Sequence, residues 1–172
     1  MRTVVLGDRP PVIEDWLRLR RARGQDLFDE VWEGVYHVAP APGRRHGQVG
    51  HQLSRVPGPL ADRAGLHGSD PCNLVSPDDD RVPDRAYFRD ATPLTWSPTP
   101  AIVVEIVSPD DETRAKIGFY QRHGVDEVLI ADPEARTVEI LARGAEGYAP
   151  AISSALLGIT AADLRAAIRW PD

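Results

Sequence analysis

Lysine is nearly missing from this chain of 172 residues: Lys116, inside the stretch ETRAKIGFY, stands against nineteen arginines. A GC-rich genome would account for arginine in place of lysine and for the sixteen prolines, but not for the one survivor. Cysteine is almost as scarce. Cys72 is alone, which excludes an internal disulfide and fits a reducing cytoplasm. No apolar run is long enough to suggest a transmembrane span, so no membrane partner is expected. The opening MRTVVLGDRPPVIEDWLRLRRARG has neither the apolar core nor the small-residue cleavage site of a secretory signal. A positive balance is missing too. At a net charge of −6 the protein has no general field to draw in a polyanion, so any nucleic-acid contact must be local. Two basic clusters, RLRRAR at 18–23 and GRRH at 43–46, read first as solvated helix faces. Also missing are a G-x-S-x-G elbow, a P-loop and an HExxH pair. His46 and His51 lie five apart and diverge on a helix, and Cys72 has no second cysteine, which argues against zinc.

With 42% hydrophobic and 27% charged residues, the composition is that of an ordinary globular protein, read as one domain over 1–172. Residues 12–23 are expected to form an amphipathic helix with Ile13, Trp16 and Leu17 on one face, interrupted by Arg20. FDEVWEGVYHVAP reads as two short strands turning at Glu33 and Gly34, and 45–55 as a helix carrying His46, Val49 and Leu53. CNLVS and RAYF are strand candidates separated by a turn-rich PDDDRVPD. AIVVEIV at 101–107 is the clearest strand, apolar on both faces apart from one residue, as a central strand should be. A helix from about Asp111 to His123 follows, with Gly124 as its cap. DEVLIADP and RTVEILAR are two more strands, and Thr160 with Asp163 forms a capping box for the last helix. Strands on both sides of a central helix argue for an α/β domain with a mixed sheet.

Three residues stand out chemically. Glu105 interrupts a run of Ile and Val, where a carboxylate is costly unless it is paired, holds a cation or reaches water at the strand's end. Asp84, in VPDRAYF, begins a neighbouring strand candidate. Two carboxylates converging there would suit a hard cation such as Mg²⁺, with waters completing the shell. Lys116 has a plain reading as the i,i+4 partner of Glu112 on the helix surface. Arginine would serve that purpose equally. A compact ammonium is preferred where it must approach a reacting oxygen closely.

Asp, a strand Glu and a nearby Lys form the constellation of the PD-(D/E)XK nucleases, whose usual lysine lies two residues after the glutamate. Val107 occupies that position, so the simple motif fails and the lysine is displaced to the following helix. This arrangement, together with DEVWEGVYHVAPAPGRRH, VPD and VVEIVSPDDETRAKIGFYQRHGVDEVLIADP, resembles the Uma family of restriction endonuclease-like proteins, a widespread bacterial group. The resemblance covers 28–133. It implies a restriction endonuclease-like mixed β-sheet flanked by helices, with a nuclease core over about 26–142, and hydrolysis of phosphodiester bonds. Asp84, Glu105 and the carbonyl of Ile106 would hold Mg²⁺ or Mn²⁺, and Lys116 would act on water or phosphate. Glu30 would complete the metal's outer shell, and His46, beside Arg44 and Arg45, would contact phosphate; each could equally be a hydrogen-bonded structural residue. Two departures are Glu112, longer than the family's common acid before the lysine, and Val35, where an acid is frequent after the hairpin glycine. The implied partner is nucleic acid, DNA in preference to RNA, with a homodimer left open. The competing reading keeps the fold as a catalytically silent binding or assembly module.

Overall fold

The computed structural model of the chain describes residues 3–7, 10–109 and 112–172. A short strand β1 (Val4–Leu6) and helix α1 (Pro11–Ala22) precede the hairpin of β2 (Glu30–Trp32) and β3 (Val35–Val38). Helices α2 (Arg44–Arg55) and α3 (Pro57–Arg63) follow. Then come strands β4 (His67–Ser69), β5 (Asn73–Ser76), β6 (Asp79–Arg81), β7 (Arg85–Phe88), β8 (Trp96–Ser97) and β9 (Ile102–Ile106). One turn of 3-10 helix at Thr113–Lys116 runs into α4 (Ile117–Arg122). The order ends with β10 (Glu127–Asp132), β11 (Thr137–Gly144), β12 (Gly147–Ala151), β13 (Ser153–Ser154), β14 (Ile159–Thr160) and α5 (Ala161–Ala167).

Six strands in the order β12-β11-β10-β9-β7-β4 form the main sheet. β9 and β10 run parallel and the other pairs antiparallel, giving the mixed α/β sheet expected from the sequence. A parallel pair needs a crossover, and the segment carrying Lys116 and α4 supplies it. Every residue of β9 is buried because both faces of the sheet are covered there. Ile102, Val104 and Ile106 pack with Val49 and Leu53 of α2 and Leu164 of α5. Val103 packs on the opposite face with Phe119 and Tyr120 of α4 and with Val128 and Ile130. Side chains alternate along a strand, so Glu105 shares the face of Val103 and points toward α4.

Local signals account for two helix ends. Gly124, at φ 77°, closes α4, and the Val125 N–H bonds back to the Tyr120 carbonyl at 3.0 Å. Thr160 Oγ1 accepts from the Asp163 N–H at 3.0 Å and opens α5. In α1, Arg20 breaks the apolar stripe because it forks onto Asp29, 2.9 Å from each carboxylate oxygen. The helix expected from Asp111 begins outside the described residues, and its remainder divides into the 3-10 turn and α4. Glu112 and Lys116 therefore do not share one regular α-helical turn.

The stretch PDDDRVPD departs from the expectation of a plain turn, because its centre is β6, paired with β5. The reason is polar docking onto the hairpin. Glu33 and Gly34 both take positive φ, 51° and 85°, as a two-residue hairpin turn demands. The Gly34 N–H then reaches the Asp78 carbonyl at 3.2 Å, and the Val31 N–H reaches Asp80 Oδ1 at 2.6 Å. In return the Val82 N–H donates to Glu30 Oε1 at 2.8 Å. Burial raises the Asp80 carboxyl to about 7 despite the Val31 bond, and the neighbouring Glu30 charge adds to the rise.

The folded protein thus prefers Asp80 protonated, whereas an unfolded carboxylate titrates near about 4. The contribution to stability is complete below that lower value and is lost as pH rises toward about 7. Thermal midpoints taken from about pH 5 to about pH 8 should fall in the wild type and fall less in Asp80→Asn, whose amide oxygen can keep the Val31 bond. Equal slopes in the two proteins would remove Asp80 as their source.

Candidate active site

Pro83 suits the entry to a strand, and Asp84 directly precedes β7. The β7–β9 register pairs Arg85 with Val104, so one step further Asp84 stands opposite Glu105. Asp84 is held at both oxygens: Oδ2 accepts the Ile106 N–H at 2.7 Å, and Oδ1 lies 2.8 Å from His46 Nε2. His46 extends from α2, and its Nδ1 lies 3.0 Å from Ser108 Oγ. Both ring nitrogens of this histidine are engaged within the protein, one on Asp84 and the other on Ser108. In an extended strand the N–H and C=O of one residue leave on the same side, so the Ile106 carbonyl faces the flank where Asp84 lies.

Lys116 is not the surface partner of Glu112. Its ammonium lies 2.8 Å from Glu30 Oε1 and 3.4 Å from Glu105 Oε1, largely withdrawn from solvent. Glu30, on β2, is itself fixed from three sides: by Lys116, by the Val82 N–H and by Trp32 Nε1–H, which donates to Oε2 at 2.6 Å. Glu105 receives the Tyr120 hydroxyl at Oε1, while Oε2 is 3.5 Å from the ammonium. Glu112 instead pairs with His37 Nδ1 at 2.9 Å. His37 is the cross-strand neighbour of Glu30 and stacks on Trp32 with ring centroids 4.1 Å apart.

Charge explains why these groups hold together. Burial pushes the Glu105 carboxyl up to about 8; the Lys116 cation opposes this, and the Asp84 and Glu30 charges reinforce it. Burial acts on Lys116 the opposite way, but the negative charges of Glu105 and Glu30 outweigh it and keep the ammonium protonated. The Tyr120 hydroxyl, buried beside those carboxylates, is held well above its usual range and remains a donor. Negative charge around this group exceeds the one ammonium.

Asp84, Glu105, Lys116, Glu30, His46 and Ile106 all line one cavity of about 410 Å³. Its donors are hard oxygens, as Mg²⁺ or Mn²⁺ would require, and its surplus negative charge would be relieved by a cation. Among the described residues no three His, Cys, Asp or Glu side chains are grouped to hold an ion by themselves. Two carboxylates would need a backbone carbonyl and water to complete the shell, which is how Mg²⁺ is commonly held. The residues present fit on that basis. Tyr120 and His37 were not among the site residues read from the sequence. The tyrosine four residues after Lys116 was visible, and His37 carried the weaker signal of alternation within a strand.

A family model described as "Putative restriction endonuclease", Uma2, matches residues 13–161. A crystal structure of "a putative nuclease belonging to DUF820" from Anabaena variabilis superposes with a TM-score of 0.66, covering 81% of this chain and 90% of that one. At 17% identity that likeness speaks to the fold. No curated protein matches the chain. The family match spans most of the chain and the shared fold agrees with it: this protein belongs to the Uma2 family of restriction endonuclease-like proteins.

Proposed function

We propose that this protein is a divalent-metal-dependent endonuclease that hydrolyses phosphodiester bonds, with DNA preferred to RNA, and that 1–172 works as a single domain. One observation carries the reading: Asp84, just before β7, and Glu105, opposite it on β9, open into the same cavity as the ammonium of Lys116. The preference for DNA rests on the superfamily that the family resembles. No helix among the described residues is long and apolar enough to cross a membrane.

Asp84, Glu105 and the Ile106 carbonyl would hold Mg²⁺ or Mn²⁺, which when bound polarises a phosphate oxygen and lowers the pKa of a bound water. The chain's own groups do the positioning. His46 and the Ile106 N–H fix both oxygens of Asp84. Tyr120 holds Oε1 of Glu105 and leaves Oε2 less encumbered. Glu30 carries Lys116 at the cavity wall, where its ammonium orients the attacking water or stabilises charge growing on the phosphate. Water oxygen bonds to phosphorus, the bond to the leaving sugar oxygen breaks, and a phosphomonoester and an alcohol result.

Mn²⁺ or Mg²⁺ should raise the thermal midpoint of the wild type and not that of an Asp84→Ala, Glu105→Ala double variant. A ligand that binds only the folded state stabilises it by about 2.7 kcal/mol at a hundredfold excess over its Kd. The same response in both proteins would place the ion elsewhere. A protein that responds to neither ion and cleaves neither single- nor double-stranded DNA or RNA would be the silent module instead.

Lys116→Arg tests the ammonium. The planar guanidinium is too broad to occupy a place shared by Glu30 and Glu105 and approach a third oxygen as a point charge. The variant should fold and lose at least about tenfold in cleavage, or about 1.4 kcal/mol of transition-state stabilisation. Lys116→Ala should also lower the thermal midpoint, because two buried carboxylates lose their cation, a change worth roughly 3–5 kcal/mol. Full cleavage by the arginine variant would reduce Lys116 to a structural counter-ion.

A further inference from the structure

Arginines on this protein are mostly spent on carboxylates. Arg18, Arg20, Arg21, Arg81, Arg85, Arg89, Arg114, Arg122, Arg136 and Arg143 each lie within ion-pair distance of an Asp or Glu. The distribution of the rest is uneven. Arg44, Arg45 and Arg169 form no ion pair with an Asp or Glu side chain among the described residues, and all three line one open groove of about 940 Å³ with His51. In a chain of net charge −6, α2 carries no Asp or Glu at all. Its outer face presents Arg44, Gln48, His51 and Arg55, with Gln52 half-buried beside them, while Val49 and Leu53 face the core. The groove contains one carboxylate side chain, that of Asp172, which is fully exposed and lies 3.8 Å from Arg136. Arg45 donates a single N–H to a main-chain oxygen of Asp172, at 2.8 Å.

The groove adjoins the candidate cavity. Arg45 lines both, and the same helix sends His46 inward to Asp84. Resting on the nuclease reading, we propose that the outer face of α2, with Arg169, is the track along which the sugar–phosphate backbone of a DNA strand leaves the cavity. Guanidinium forks grip phosphate oxygens in pairs, and glutamine amides and histidine add neutral donors without reading sequence. Repulsion from the acidic surface elsewhere confines the strand to this one approach. A local track also reconciles an acidic protein with a polyanionic substrate.

The test is fluorescence anisotropy of a labelled DNA of about twenty nucleotides, single-stranded and as a duplex, with the full chain in EDTA over a salt series. Each phosphate neutralised contributes a slope of about −0.9 in log K against log salt on duplex and about −0.7 on single strands. A triple variant, Arg44→Ala, Arg45→Ala, Arg169→Ala, should lose at least about tenfold in affinity at low salt and about two to three phosphates' worth of slope. Arg23→Ala with Arg63→Ala removes two arginines from other elements that form no ion pair with an Asp or Glu side chain among the described residues, and should change neither. An RNA strand of the same sequence shows whether the track distinguishes the sugar. Equal losses in both variant sets, no loss in the triple variant, or no binding by the wild type would overturn the track. Binding that depends on the three arginines in a protein that cleaves nothing would leave the track standing and overturn hydrolysis alone.

Discussion

Glu105 sits on the strand that the rest of the protein is packed around, at a depth where burial by itself would hold a carboxyl neutral. The Lys116 ammonium at 3.4 Å and the Tyr120 hydroxyl are what a charged group there requires. Much of the surrounding architecture serves that one requirement. The crossover between β9 and β10 brings Lys116 and Tyr120 back over the sheet on the face that Glu105 uses. The hairpin of β2 and β3 brings Glu30 to the far side of the same ammonium. A lysine four residues from a glutamate on a helix surface would need none of this.

The hairpin is a polar scaffold more than a hydrophobic one. Asp80 and Glu30 exchange bonds with the backbones of Val31 and Val82, so each carboxylate anchors the strand opposite. Arg81 lies between the rings of Trp32 and Phe119, at 4.4 and 4.3 Å from their centroids, and joins the hairpin to α4. Its Nε has no hydrogen-bond partner among the described residues. Charge pairing, aromatic stacking and backbone bonds together bring Glu30 to Lys116, and no single contact would do so.

A second buried carboxylate shows that burial alone does not mark a site. Glu127 opens β10 beside β9 and is as enclosed as Glu105. Its oxygens are consumed by the N–H groups of Ala155 and Leu156, at 2.8 and 3.2 Å, and by the Ser154 hydroxyl. It ties the loop before α5 to the sheet and lines no part of the cavity. What separates the two glutamates is their surroundings: backbone donors around one, an ammonium and further carboxylates around the other.

Local chemistry made a good part of this protein legible. A stretch apolar but for Glu105 became the central strand, a glutamate and glycine at positive φ turned the hairpin, and Gly124 and Thr160 marked helix ends, because each depends on neighbours within a few residues. Asp84, Glu105 and Lys116 stood out for a related reason, as charges set in patterns that made them costly or unusual. The partners were hidden. Lys116 stands 86 positions after Glu30, and His46 38 before Asp84, so nothing local distinguishes those pairs from the i,i+4 neighbour Glu112 or from a solvated histidine. The acidic stretch of β6 read as a turn because its ordering bonds come from the distant hairpin. The sequence by itself determined which residues could carry charge into the core. Only the tertiary structure decided which opposite charge met each of them, because a buried ion is stabilised by what lies within a few ångströms in space, at whatever distance along the chain.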